Sequence, residues 1–140
     1  LSPPALDTCC LAAALQTRLD AVEARGGLKV DLQAEGSECL TAVVRQELYQ
    51  IAQEALNNAL KHARAQSVRI LLDFRGGETR LEITDDGCGF EPEAAERGGG
   101  LGLRGMRERV QGIGGSLRIE SSPGKGTAIR VAVPVEKAAR

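Results

Sequence analysis

Several common kinds of chemistry lack their raw materials in this chain of 140 residues. It holds one His and four Cys, at positions 9, 10, 39 and 88, with no C-x-x-C pair, so the ligand set of a structural zinc site is missing. A disulfide framework does not suit so much core-forming sequence, and the cysteines read as reduced thiols of a cytosolic compartment, most of them small apolar fillers. Charge of one sign is not in excess: the formal net charge of -1 gives no electrostatic reason to expect nucleic acid or anionic lipid as the main partner. No apolar run approaches the roughly 20 residues that span a bilayer, and the N-terminus lacks the basic-then-apolar layout of a secretion signal. Aromatic residues, at 2%, are unusually scarce. Neither the G-x-x-x-x-G-K-[ST] phosphate loop nor a dinucleotide fingerprint inside a βαβ unit occurs.

What is present is ordinary globular material, 42% hydrophobic and 26% charged, expected to form one domain over 1–140 that folds by itself. The opening Leu1-Ser2-Pro3-Pro4 reads as cut from something longer. Beyond it, Asp7 or Thr8 is placed to cap a helix running to about Arg25, with Leu11, Ala14, Leu15, Leu19 and Val22 at helical spacing and Gly26-Gly27 as the stop. Leu28, Val30 and Leu32 alternate as a short strand at a sheet edge would, followed by a polar stretch. From Val43 to Ala63, Val44, Leu48, Ile51, Ala52, Ala55, Ala59 and Ala63 form one stripe at steps of three and four, the mark of a long helix with one buried face. Ser67–Phe74 and Thr79–Thr84 read as an antiparallel hairpin turning at 75–78. Residues 86–102 are loop by composition. Leu103, Met106, Val110 and Ile113 make a further helix, and strands from Leu117 and from Ala128 to Val133 close the chain. The pattern predicts an α+β fold: about three helices in a two-layer sandwich on a mixed, mainly antiparallel, five-stranded sheet.

Three stretches resist explanation as packing alone. Glu54, Asn58 and Lys61 share one side of the long helix, with His62 at its edge, projecting away from the Ala52-Ala55-Ala59 stripe. A solvated polar face would look the same, but Asn57-Asn58 in a helix interior is locally unfavourable and points to a site. The amide oxygen of Asn58 is a hard ligand suited to Mg²⁺, and Lys61 supplies charge for phosphates. Asn58→Ala is on this reading expected to weaken binding of a magnesium-bound phosphate ligand without loss of thermal stability, because alanine favours helix.

Asp85-Asp86-Gly87-Cys88-Gly89 closes a strand. It suits either a plain turn or a carboxylate accepting the exocyclic amino group of adenine, with Gly87 and Gly89 letting backbone approach the ring. Glycines at 98, 99, 100, 102 and 105, interleaved with Leu101 and Leu103 before a helix, suit phosphate binding by helix-start amides beneath a mobile lid. Gly126-Thr127 is equally a hairpin turn or a hydroxyl beside the base.

Taken in order, Glu54-x-x-x-Asn58-Ala59-Leu60-Lys61-His62, Asp85-x-Gly87-x-Gly89, Gly100-Leu101-Gly102-Leu103 and Gly126-Thr127 resemble the N, G1, G2 and GT boxes of the Bergerat-type ATP-binding fold. Gyrases, the heat-shock chaperone family and sensor histidine kinases share that fold. The stretches 51–59 and 102–110 are most similar to two-component sensor kinases of the nitrate-sensor and desaturase-thermosensor group, and 1–26 resembles the segment that follows their dimerisation hairpin.

The resemblance implies that Asp85 binds adenine with Gly87, Gly89 and Thr127 nearby, and that Asn58 holds Mg²⁺. It further implies that Lys61 and His62 meet phosphates, and that Gly98, Gly100, Leu101, Gly102 and Leu103 of an ATP lid over 86–102 wrap the triphosphate. Glu54 enters as a base or as a water-mediated metal contact. The implied reaction is transfer of the γ-phosphoryl group to a histidine on a separate, upstream dimerisation domain, which then serves a response regulator. The implied setting is the cytoplasmic side of a membrane-associated homodimer, this piece itself being monomeric. No acceptor-histidine motif precedes the boxes within this chain. Two other readings use the same residues: an anti-sigma-factor type serine kinase, and a nucleotide-binding module without transfer activity.

Overall fold

A computed structural model describes residues 10–135 of the chain; the proposed caps Asp7 and Thr8, and Cys9, lie outside them. The elements run α1 (Leu11–Ala24), β1 (Lys29–Glu35), α2 (Ala42–Lys61), β2 (Ser67–Asp73), β3 (Glu78–Asp85), α3 (Pro92–Gly98), α4 (Leu103–Gly112), β4 (Ser116–Ser121) and β5 (Thr127–Pro134). The strands form one sheet in the order β1-β2-β3-β5-β4, in which only β1 and β2 pair in parallel.

Alternation along the strands decides which layer is which. Val68, Ile70, Leu72, Leu81, Ile83, Ile129, Val131 and Val133 are all buried and sit on one face of the sheet, where α1, α2 and α4 pack. The opposite face is polar and carries exposed ion pairs such as Arg130 with Glu82, each worth little to stability in water. In α2 the apolar stripe Val44, Leu48, Ile51, Ala52, Ala55 and Ala59 lies against this core, and its helix begins under a Thr41 hydroxyl that accepts the Val44 N–H. That stripe holds three alanines, whose small side chains let the helix sit close to the sheet and leave room at its C-terminal end.

Four details depart from the sequence reading. The described fold has four helices rather than about three, because a short α3 interrupts the expected loop at 86–102. Its signals are local: Glu91 accepts the Glu93 N–H, Pro92 starts the helix, and Gly99 ends it in the left-handed region at φ 72°. Strand β1 continues through the polar stretch to Glu35, since parallel pairing with the whole of β2 outweighs its lack of apolar residues. Cys10, Cys39 and Cys88 are exposed free thiols and not core fillers. Cys10 instead caps α1, its Sγ accepting the Ala13 N–H at 3.3 Å.

Asp86 fastens the β2–β3 end of the sheet. Its carboxylate accepts the amide N–H of Ser67 at 2.9 Å, that of Gln66 at 2.8 Å and the Ser67 hydroxyl at 3.0 Å. Those bonds, the Ser67 amide first, hold its carboxyl below the ordinary 3.8. A lowered folded pKa contributes stability that is present above the unfolded value and lost as pH falls through the folded one. Asp86→Ala should therefore lower the melting temperature at pH 7, and its difference from the wild type should close as the medium is acidified below about pH 4. A difference that stays constant across that range in thermal melts would contradict the assignment.

Candidate functional site

The C-terminal half of α2, the ends of β3 and β4 and the start of β5 meet at one edge of the sandwich. They surround a recess of about 120 Å³ lined by Ala55, Asn58, His62, Ala63, Asp85, Gly89, Phe90, Leu101, Thr127 and Ile129. Its floor is apolar, from Ala55, Ala63 and Ile129, and polar groups stand at the rim, the usual composition of a small-molecule site. Strand register sets the rim: Asp85 pairs with Thr127, and Thr127 with Ser121, so three strand ends form one row.

Asp85 is half-buried, and its Oδ1 accepts the Gly87 N–H at 2.8 Å. Burial pushes its carboxyl above the ordinary 3.8, against the pull of the Gly87 bond, and the neighbouring Asp86 charge adds to the rise. An acceptor kept in a partly dry place is poised to take a donor from a ligand. Three glycines here are required by close approach, two of them also at positive φ. A Cβ on Gly89 would stand 2.1 Å from the Ser122 carbonyl oxygen, and one on Gly126 2.3 Å from that of Asp85, both at positive φ. Gly87 packs against Ala63, and the Ala63 carbonyl accepts the Cys88 N–H at 2.8 Å, tying the loop to the end of α2.

Asn58 is 8% exposed, and its Nδ2 donates to the Leu101 carbonyl at 2.8 Å. That bond fixes which way the amide faces and leaves Oδ1 without a partner among the described residues. Asn58 thus stands beside Ala55 in the wall of the recess, not on a side turned away from the alanine stripe. A neutral oxygen at the rim fits Mg²⁺, which takes one or two protein oxygens and completes its shell with water and substrate phosphate. Among the described residues no cluster of three or more His, Cys, Asp or Glu side chains could hold a metal. The bond to Leu101 also alters the expectation for Asn58→Ala. The substitution leaves a carbonyl unpaired and should cost about 1 kcal/mol, offset in part by better helix propensity. A melting temperature a few degrees below wild type, rather than unchanged, is the expected outcome.

The remaining sequence-derived residues are distributed around the recess. His62 is the C-cap of α2, exposed, and lines the recess; Lys61 beside it is exposed but is not among the lining residues. Glu54 reaches to Gly102, whose absent Cβ would fall 2.2 Å from the carboxylate. Gly102 begins α4 without a side-chain cap, so the first amides of that helix are not taken up by a neighbouring hydroxyl or carboxylate. Gly98 and Gly100 are exposed, at the end of α3 and in the turn that follows it. Leu103 is fully buried in the core and does not line the recess. An ion pair of Arg107 with Glu96, at 2.8 Å, joins α4 to α3.

Sequence reading missed Phe90 and Ile129 as lining residues, and it took Ala55 and Ala63 for core alone. Ser121 was missed as well. The only signal available for them was adjacency to motif residues across the sheet, which no local pattern carries.

Residues 43–137 match the family described as histidine kinase-, DNA gyrase B-, and HSP90-like ATPase. An uncharacterized sensor-like histidine kinase of Chloroflexus aurantiacus is 36% identical over 146 aligned positions, covering 97% of this chain and 24% of that protein. The sensor histidine kinase LiaS of Bacillus subtilis is 38% identical over 92 residues, covering 66% of this chain and 25% of that protein. The chain thus spans about a quarter of the length of these curated relatives. Among solved structures, the blue-light activated histidine kinase of Erythrobacter litoralis EL346 superposes with a TM-score of 0.79 at 28% identity, over 94% of this chain and 44% of that one.

Proposed function

We propose, for a chain that belongs to the family of histidine kinase-, DNA gyrase B- and HSP90-like ATPases, that it is the ATP-binding catalytic domain of a sensor histidine kinase. The observation that carries this reading is the convergence on one recess of an ionisable acceptor, Asp85, and an oriented amide oxygen, Asn58, from separate elements. In this reading the adenine amino group donates to Asp85, and the ring lies on Ala55, Ala63 and Ile129. The triphosphate leaves the recess past His62 and Lys61 towards the uncapped start of α4, where aligned amides favour negative charge. Mg²⁺ on Asn58 Oδ1 neutralises the phosphates when bound. Glu54, beside Gly102, stands near that path and serves as a positioning or base candidate.

The domain's own residues supply placement and charge compensation, which is most of what phosphoryl transfer needs. The γ-phosphoryl group passes to a histidine on an upstream dimerisation domain of the same, homodimeric protein, and from there to a response regulator. Among the described residues no helix is long and apolar enough to cross a membrane, and the cytoplasmic face of a membrane-associated sensor is the proposed setting.

The test has two stages. Calorimetric titration of this chain with Mg-ATP should give a one-site isotherm that is lost with excess EDTA and nucleotide-free controls. Incubation with labelled ATP should leave the chain itself unlabelled, whereas the protein carrying the upstream hairpin should acquire acid-labile phosphohistidine. Acid-stable phosphoserine on a partner protein would favour the serine-kinase reading instead, and binding without any transfer would favour a nucleotide-responsive module.

A further inference from the structure

We infer that Ser121, at the end of β4, sets the hydrogen-bonding polarity of the base end of the recess and so acts as a specificity-determining positioning residue. This rests on the adenine-binding reading above. The Ser121 hydroxyl has one proton and two lone pairs, and the structure assigns all three. It lies 2.9 Å from the Gly126 carbonyl, which can only accept, so the proton goes there. The Phe90 N–H, 2.9 Å away, can only donate, and takes one lone pair. The Thr127 hydroxyl, also at 2.9 Å, is left to donate to the other.

Thr127 is 7% exposed and lines the recess. With its proton spent on Ser121, it turns only lone pairs towards a ligand. Asp85, its neighbour across the β3–β5 register, is likewise an acceptor when ionised. The base end therefore offers two acceptors and no side-chain hydroxyl donor. A 6-amino purine brings N–H groups to this end and satisfies it. A 6-oxo purine brings the lone pairs of O6 against both acceptors, and a buried mismatch of that kind is what discriminates most strongly between near-isosteric ligands. Ser121 touches no ligand in this account. It acts by holding the Thr127 proton away from the recess, and the same hydroxyl anchors the root of the lid at Phe90.

The experiment compares ADP with inosine 5′-diphosphate, both with magnesium, by competition binding to the wild-type chain and to Ser121→Ala. Removing the hydroxyl frees the Thr127 proton to swing into the recess and donate to O6. The ratio of the two affinities should fall by about tenfold, the size of one neutral hydrogen bond. Ser121→Thr, which keeps the hydroxyl, should retain the wild-type ratio. Thr127→Val should also lower the ratio, with no further loss in the double variant with Ser121→Ala. If Ser121→Ala does not fold, Ser121→Cys, whose sulfur accepts only weakly, serves the same comparison. Equal weakening of both nucleotides, with the ratio unchanged, would reduce Ser121 to a structural role and overturn the inference. Failure of the wild type to bind either nucleotide would instead overturn the adenine reading itself, and this inference with it.

Discussion

Asp85→Asn should weaken ADP and ATP binding on the order of a hundredfold, about 3 kcal/mol, while leaving the unliganded protein at least as stable as the wild type. The two effects have separate causes. The Gly87 N–H at 2.8 Å holds an oxygen at the Oδ1 position, and an asparagine satisfies it by keeping its own oxygen there. Its NH₂ group then occupies the second carboxylate position and meets the adenine amino group donor to donor, so a charge-assisted bond is replaced by a repulsive contact.

Stability moves the other way. Burial raises the Asp85 carboxyl above its ordinary value, so this group favours the folded state at low pH and loses that contribution as pH rises through the folded pKa. At neutral pH its ionised form is a cost that the neutral amide removes. Calorimetric titration gives the affinity, and thermal melts at pH 7 without ligand give the stability. Unchanged affinity would refute the base contact. A large fall in melting temperature would mean that the carboxylate is structural, as Asp86 is.

Gly126→Ala should be strongly disruptive for a single-methyl change, costing about 3 kcal/mol or more and lowering the melting temperature on the order of 10 °C. Its backbone is at φ 73°, and a Cβ would lie 2.3 Å from the Asp85 carbonyl oxygen, so both chains of the β3–β5 end must shift. Gly102→Ala is the matched control. It shares a positive φ of 67°, but the atom met at 2.2 Å is Glu54 Oε1, the far end of a flexible side chain that can rotate away. That variant should pay only for its backbone conformation, about 1 kcal/mol, and melt within a few degrees of wild type. Equal melting temperatures for the two variants would show that the β3–β5 end yields more readily than its packing implies.

Much of this architecture is legible from periodicity. The α2 stripe, the β2–β3 hairpin and the α4 pattern of Leu103, Met106 and Val110 each repeat at the spacing of the element they form, because one face of each must leave water. The α3 helix escaped because its seven residues bury no residue, so no apolar period marks it; only the Glu91, Pro92 and Gly99 end signals do. The extension of β1 escaped because strand pairing with β2 is a partner's contribution and leaves no trace in Gln33, Ala34 and Glu35 themselves.

By itself the chain's order of residues determined the sandwich of helices on a mixed sheet, and it singled out the short polar and glycine-rich stretches that packing alone does not require. It did so because burial acts locally on each element and writes its period into that element. Only the tertiary structure decided which of those stretches face one another. Asp85, Thr127 and Ser121 become neighbours through sheet register, and the Asn58 amide in the wall of the recess is held by the Leu101 carbonyl, 43 residues away, which takes its N–H. Cross-strand register and the direction of a hydroxyl proton depend on groups far apart in sequence, and these are the terms that give the recess its polarity.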